Sequence, residues 1–443
     1  MSLRVVALRT AVRPIWNRSI PAAFAAAAGV HFPPRRGRVG TLMMAILVVT
    51  ALPVAGEEAA GERAVPQAVR RLRLPATPYR YADVALPEHV RRFANSYDNT
   101  PVDNPITDAG AKLGRVLFYD PTLSINGQTS CASCHKQALA FTDDAPLSRG
   151  FEGRTVTRNS MSLVNLRYYA RGKFFWDERA DSLEAQVLMP IENEIEMGHD
   201  LDRLEPQLAS DPIYPPLFDE AFGDPAIDRE RIAKALAQFI RSIVSFDSPY
   251  DRGLAVAGSA EFEFANFSEQ ENEGKRLFFG EARCALCHVA NRAQQGPRQQ
   301  AFFFLDGPLV NGIDIDDIQR LDPKIDPGVG GVTGRPEDFG RFKVSSLRGV
   351  EVTGPYMHDG RIRTLETVIE HYGWSLRPHV NLDSRLQNIV GSGLAFPQSE
   401  VDALVAFLRT LTDATLLTDP RFSNPFVAVD SPESETAAPV SGP

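Results

Sequence analysis

The sequence predicts an all-α fold made of two helical halves in tandem, joined by long irregular loops. Three observations predict it. No run of alternating apolar and polar residues is long enough to make the strands of a packed sheet. A strongly amphipathic helix recurs, once in each half of the chain. The four cysteines form two copies of one motif, Cys131-Ala-Ser-Cys134-His135 and Cys284-Ala-Leu-Cys287-His288, offset by 153 residues from Cys131 to Cys284.

Composition sets outer bounds. With 443 residues, 43% hydrophobic and 23% charged, the chain can bury cores for two or three domains. Aromatics at 9% and ordinary Gly and Pro counts exclude a collagen-like, disordered or low-complexity chain. The formal charge of -9 argues against a nucleic-acid binder. Four cysteines are too few for a disulfide scaffold.

Taken in order, the chain opens with an export segment over residues 1–56. Arg35-Arg36-Gly37-Arg38 precedes an apolar run from Gly40 to Val54, and Val54-Ala55-Gly56 offers a small-residue cleavage site. The run is short for a membrane span, so the protein is not expected to be an integral membrane protein unless this segment is retained as an anchor. Its removal leaves 40 basic against 56 acidic residues, near -16. Residues 57–99 form an N-terminal extension. The first half, 100–255, holds Lys112-Leu-Gly-Arg-Val-Leu-Phe118 before its motif. After Asp228 a helix places Ile232, Leu236, Phe239, Ile240 and Ile243 on one face. Asp247 to Phe267 reads as a Gly- and Ala-containing linker. The second half, 260–418, repeats the plan. Ser268 and Glu271 make a capping box before Lys275-Arg-Leu-Phe-Phe279. The helix after Ser399 aligns Val401, Leu404, Val405 and Leu408. Residues 419–443, rich in Pro, Ser and Glu, read as a disordered tail.

The repeated C-x-x-C-H motif is the c-type haem attachment signature. Two thiols three residues apart can add to the two vinyl groups on one porphyrin edge, and the adjacent imidazole then reaches the iron. A split zinc site or a thioredoxin-like pair would also use cysteines, but a redox pair does not need His after the second Cys. Two covalent haems follow, with His135 and His288 as iron ligands, and each half becomes a cytochrome c-like haem domain. Haem attachment of this type takes place outside the cytoplasm, which agrees with export and gives the periplasm as the location.

The sixth ligand at each iron separates an enzyme from an electron carrier. An iron ligated on both faces only moves electrons, whereas one with a free face can bind peroxide. Between His135 and the second motif His199 is the one histidine, so the first iron is short of candidates. The segment beyond it is dense in polar groups: Phe174-Phe175-Trp176-Asp177-Glu178-Arg179, then Gln186, Pro190 and Glu194-Ile-Glu196-Met197-Gly198. A buried carboxylate beside a peroxide-binding iron can move a proton from the inner to the outer oxygen. A Trp between two haems can bridge a gap too wide for direct transfer. Taken alone, a lone Trp is more often core and a Glu-rich segment more often a solvated face.

Phe175-Trp176-Asp177-x-Arg179, Ile195-Glu196-Met197-Gly198 and Pro355-Tyr356-Met357-His358-Asp359-Gly360 resemble the bacterial di-haem cytochrome c peroxidases and their MauG-type relatives, over about Asp103 to Asp413. The resemblance implies a peroxidatic N-terminal haem and an electron-storing C-terminal haem. It makes Trp176 the inter-haem residue and puts Gln186, Pro190 and Glu196 in the distal pocket of the first haem, with Glu196, Gln186 and Trp176 as catalytic candidates. It also implies a calcium ion held by the Asn159 side chain and the carbonyls of Thr353 and Pro355, oxygen donors that suit a hard cation.

Two departures matter. In classical members a loop histidine caps the peroxidatic iron until the other haem is reduced, and here Ser148 to Arg158 contains none. The second concerns the iron ligand opposite His288. On the helix from Thr364 to Gly373, Tyr372 shares a stripe with Leu365, Val368 and Ile369, while His371 lies about a hundred degrees away. Tyr372 aligns with the position where classical members supply methionine and MauG-type relatives tyrosine, and Met357 is the alternative. Three functions remain open. One is reduction of hydrogen peroxide with electrons from a small cytochrome c or cupredoxin. Another is MauG-like oxidation of side chains on a protein substrate. The third is a non-catalytic di-haem electron carrier.

Overall fold

The computed structural model describes residues 70–289, 300–304, 307–314, 325–391 and 393–428. The export segment expected over 1–56, and residues 429–443, lie outside the described residues. All the described residues fall within one compact unit of the chain, Val65–Pro443. They form ten helices of nine residues or more: α1 (Glu88–Tyr97), α2 (Asp108–Tyr119), α3 (Leu183–Glu192), α4 (Leu201–Ser210), α5 (Tyr214–Phe222), α6 (Arg229–Ser242), α7 (Pro249–Ala257), α8 (Glu269–Phe279), α9 (Leu365–Trp374) and α10 (Gln398–Arg409). The expected predominance of helix holds.

The recurrence seen in the sequence becomes a repeated helix crossing. In the first half α2 packs on α6, and in the second α8 packs on α10. Each crossing needs a glycine. A Cβ on Gly114 would sit 2.0 Å from the Ala235 carbonyl oxygen, and one on Gly274 would sit 1.8 Å from that of Ala403. The helices touch backbone to backbone there, closer than any side chain allows. The amphipathic stripes are buried as their spacing requires. Leu113, Val116, Phe118, Ile232, Leu236 and Phe239 belong to one core, and Leu277, Phe278, Val401, Leu404 and Phe407 to another. Ser268 and Glu271 make the capping box expected at α8.

Three expectations need correction. The linker from Asp247 to Phe267 contains α7, started by a second capping box between Ser248 and Asp251. Tyr250, Leu254, Phe264 and Phe267 lie in the second core. Gly253, one of the glycines of that segment, leaves the space that the Phe264 ring fills, 2.3 Å from where a Cβ would be. Residues 419–428, expected in a disordered tail, are ordered. Phe422 is buried in the first core, Tyr119 donates to the Phe422 carbonyl at 2.6 Å, and Arg115 donates to that of Ser423 at 2.7 Å. The all-α reading also has an exception: β1 (Arg70–Leu72) pairs antiparallel with β2 (Phe426–Ala428). A pairing between segments so far apart in sequence leaves no local pattern to read.

The described part of the N-terminal extension, residues 70–99, is built in as well. Val90, Ala94 and Tyr97 of α1 join a third core with Tyr168, Tyr169, Phe246, Phe302 and Phe304, which come from both halves. Asp251 ties the same region together. Its carboxylate takes two hydrogen bonds from Arg348, at 2.5 and 2.7 Å, and lies 3.3 Å from His89 of α1.

Candidate active site

Each half carries a cavity with its motif in the wall. The first, about 180 Å³, is lined by Cys131, Cys134 and His135, by Phe118 of α2 and by Leu236 and Ile240 of α6. The second, about 230 Å³, is lined by Cys284, Cys287 and His288, by Phe278 of α8 and by Leu404 and Leu408 of α10. The repeated helix crossing therefore supplies equivalent walls to both. Cys131–Cys134 forms one helical turn, which turns both thiols to one side. All four cysteines are free, and burial pushes Cys131 and Cys284 up to about 12 and Cys134 and Cys287 up to about 11.

The first motif's imidazole is held as an iron ligand needs to be. His135 Nδ1 lies 2.9 Å from the Phe141 carbonyl, which can only accept, so the ring donates there and Nε2 is left as the lone-pair nitrogen. Burial lowers its pKa and keeps it neutral. Burial, then the charge of Arg385, brings His288 down to about 4, and its buried Nδ1 has no partner among the described residues. Two thiols and a neutral imidazole on one side of an otherwise largely apolar cavity fit a covalently attached haem in each half.

The first cavity also gathers the residues expected in its pocket. Gln186 and Pro190 of α3 and the Glu196 loop line it. The loop is fixed by Asn193, whose Oδ1 accepts from Ile195 N at 2.9 Å and Glu196 N at 3.1 Å, and whose carbonyl accepts from Gly198 N at 2.8 Å. Gly198 has φ +62, and the Phe151 ring occupies the place of its missing side chain. Burial raises the Glu196 carboxyl above its ordinary value, while the Arg179 guanidinium pulls the other way. Arg179 stands in the same wall, bonded to Asp177 at 3.0 Å and 3.5 Å above the Phe175 ring.

The loop without a histidine is docked onto this acid. Phe151 N donates to the Glu196 carbonyl at 3.0 Å, Asn126 donates to the Phe151 carbonyl at 2.8 Å, and Gly150 abuts the Ile195 carbonyl. His135 is the one histidine in the first cavity's wall among the described residues. His199 points elsewhere, with Nδ1 on the Asp200 carbonyl at 2.9 Å and Nε2 3.2 Å from Gln207. The wall thioethers are Met161, whose backbone reaches the His135 ring, and Met197, which is buried in the first core.

Trp176 stands in the walls of both cavities. It is carried by a tight turn, closed by a bridge between Phe174 and Ala180, in which Phe175 has φ +67 and Glu178 φ +55. Two non-glycine residues in the left-handed region cost roughly 1–3 kcal/mol each, a sign that the turn is shaped to present this side chain. The indole Nε1 donates to the Asn159 carbonyl at 2.8 Å.

In the second cavity the α9 stripe behaves as expected: Leu365, Val368, Ile369 and Tyr372 all line it. His371 points away and lies 3.1 Å from the Asn311 carbonyl. Met357 lines the cavity too, held at φ +74. Asn311, which sequence reasoning missed, serves both candidates, its Nδ2 donating to Met357 Sδ at 3.4 Å and to Tyr372 Oη at 3.5 Å. Burial pushes the Tyr372 phenol up to about 12. Asn159, Thr353 and Pro355 share this wall, and the Asn159 amide nitrogen donates to the Pro146 carbonyl at 3.1 Å, which turns Oδ1 the other way.

Comparison with known proteins agrees with this arrangement. The sequence pattern of the family described as di-haem cytochrome c peroxidase matches residues 108–259. The methylamine utilization protein MauG of Methylorubrum extorquens is 35% identical over 316 residues, 70% of this chain and 80% of that protein. The chain belongs to the di-haem cytochrome c peroxidase and MauG family. It is an oxidoreductase of the peroxide-using kind and carries two c-type haems. The cytochrome c551 peroxidase of Nitrosomonas europaea is 33% identical over 313 residues, 68% of this chain and 79% of that protein. A crystal structure of a MauG-like protein associated with microbial copper homeostasis superposes with a TM-score of 0.63 at 32% identity, covering 77% of this chain and 99% of that one. Membership sets aside the electron-carrier reading. No helix among the described residues is long and apolar enough to cross a membrane.

Proposed function

We propose that the chain is a periplasmic peroxidase that takes hydrogen peroxide into the first cavity, with the second haem relaying electrons from a small cytochrome c or cupredoxin. When bound, the haems supply an iron that accepts the peroxide oxygen and a second centre that stores an electron. The observation that carries this reading is the half-buried Glu196 in the same cavity as His135, with no second imidazole in the wall among the described residues. The Glu196 carboxylate takes the proton from the inner peroxide oxygen and returns it to the outer one, which leaves as water. Gln186 offers an amide donor from α3, and Pro190 and Phe175 keep the surroundings dry. Trp176 provides an aromatic bridge between the cavities, and its Nε1 bond to Asn159 fixes the ring.

The Asn159 side chain and the Thr353 and Pro355 carbonyls would hold a calcium ion through oxygen alone. An acidic surface near -16 after export favours a basic electron donor, with encounter rates that fall as salt rises. A second reading, oxidation of side chains on a partner protein, is favoured by Tyr372 in the second cavity and by relatives named MauG. An anionic oxygen ligand there would lower that haem's potential. Stopped-flow mixing of the diferric protein with hydrogen peroxide, without reductant, tests what both readings share. An immediate spectral change is expected. A reaction that begins only after prior reduction would contradict the open first site.

A further inference from the structure

Between the two cavities lies a cation that neither reading uses. Lys343 is the one lysine or arginine in the walls of both cavities among the described residues. It is 4% exposed, and its backbone N–H donates to the Trp176 carbonyl at 2.8 Å, so the inter-haem turn carries it. An ammonium has three hydrogens to place. The side chain reaches one neutral acceptor, the Lys173 carbonyl at 3.3 Å. Its other neighbours are ring faces, Tyr169 at 3.7 Å and Phe174 at 5.0 Å. The nearby carboxylate, Glu178, is engaged elsewhere: Tyr169 Oη donates to it, and Arg171 bonds it at 3.0 and 2.7 Å. Burial, partly offset by Glu178 and reinforced by the charge of Arg171, brings Lys343 down to about 7. Lysines are almost never fully buried unless paired. The protein supplies this one with hydrogen-bond capacity to spare and no carboxylate of its own.

Each bound haem brings two propionate carboxylates. We propose that Lys343 is a carboxylate-binding residue shared by the two cavities, whose ammonium takes haem propionates from both sides of the wall and raises both reduction potentials. A positive charge beside a haem favours the form with one more electron, and in a low-dielectric wall it does so strongly. Lys343 is thus a positioning residue that couples the two centres through one charge. The inference needs the two haems but not the peroxide reading, so the failure of either leaves the other standing.

The test is spectroelectrochemical titration of the di-haem holoprotein for wild type, K343M, K343Q and K343R, at equal haem content per chain. K343M is expected to lower the reduction equilibrium of both haems by about tenfold, which is about 59 mV for a one-electron couple. K343Q, which keeps polarity where an apolar side chain hinders folding, should do the same, and K343R should restore most of the shift. Potentials unchanged in K343M and K343Q would overturn the proposal. So would a shift at one haem alone, since the residue would then not be shared. A shift in K343R as large as in K343M would assign the effect to shape instead of charge and overturn it equally.

Discussion

Replacing Glu196 by glutamine keeps the shape of the side chain and removes its ability to carry a proton. The loop should not move, because Asn193 and Gly198 hold it through backbone contacts that the substitution leaves alone. A positioned acid–base group contributes about 10² to 10⁴ in rate, or roughly 2.7 to 5.4 kcal/mol of barrier. Peroxide turnover by E196Q should fall within that range while both haem spectra persist. The pH dependence follows from the raised pKa. Proton abstraction needs the carboxylate, so wild-type turnover should decline as pH falls through the raised value, and E196Q should lack that limb. Stability runs the opposite way. The folded carboxyl holds its proton more tightly than the unfolded one, so its contribution is fully present below the ordinary value of 4.5 and is lost as pH rises through the raised one. At neutral pH E196Q should therefore be no less stable than wild type. Steady-state turnover against pH, with thermal unfolding of the same samples, measures both. Unchanged turnover, or a loss matched by destabilisation, would refute the proton-transfer role.

Other consequences can be checked alongside. Gly114→Ala and Gly274→Ala each drive a methyl into a backbone carbonyl and should cost about 1–3 kcal/mol or more in denaturant unfolding, with each lesion centred in its own core. Tyr372→Phe should alter the low-spin haem signal and leave the first haem's unchanged; Met357→Leu producing that change instead would give the ligand role to Met357. For Asp251, burial would raise the carboxyl, but Arg348, His89 and Ser248 outweigh it and hold it well below the ordinary range. Its stabilisation is present above the ordinary carboxylate pKa and lost on acidification, so Asp251→Asn should cost about 3–5 kcal/mol near neutrality and flatten the acid limb of unfolding.

Much of this was legible in the sequence because the signals are local. The two C-x-x-C-H motifs, the stripes through Leu236 and Leu404 and the Ser268 cap each depend on residues within a few positions, and each took the expected place. Glu196, Gln186 and Trp176 converged on one cavity because they ride on short segments near the first motif, each held by local bonds: the Ser182 cap, the Asn193 side chain and the Phe174–Ala180 bridge. What stayed hidden depends on partners far away in the chain. Phe422 looked like part of a polar tail because its core lies some 300 residues upstream at Tyr119. The Asp247–Phe267 segment looked like a linker because Gly253 is a packing site, which composition cannot distinguish from a hinge. Lys343 and Asn311 gave no signal, since an isolated Lys or Asn becomes informative only when burial shows what surrounds it.

On the proposed function, the first haem has a face that no protein side chain occupies. Electron paramagnetic resonance of the resting diferric protein, before and after cyanide, tests it most directly. One high-spin and one low-spin haem are expected at rest, with cyanide converting the high-spin one alone. Two low-spin haems that ignore cyanide would contradict it.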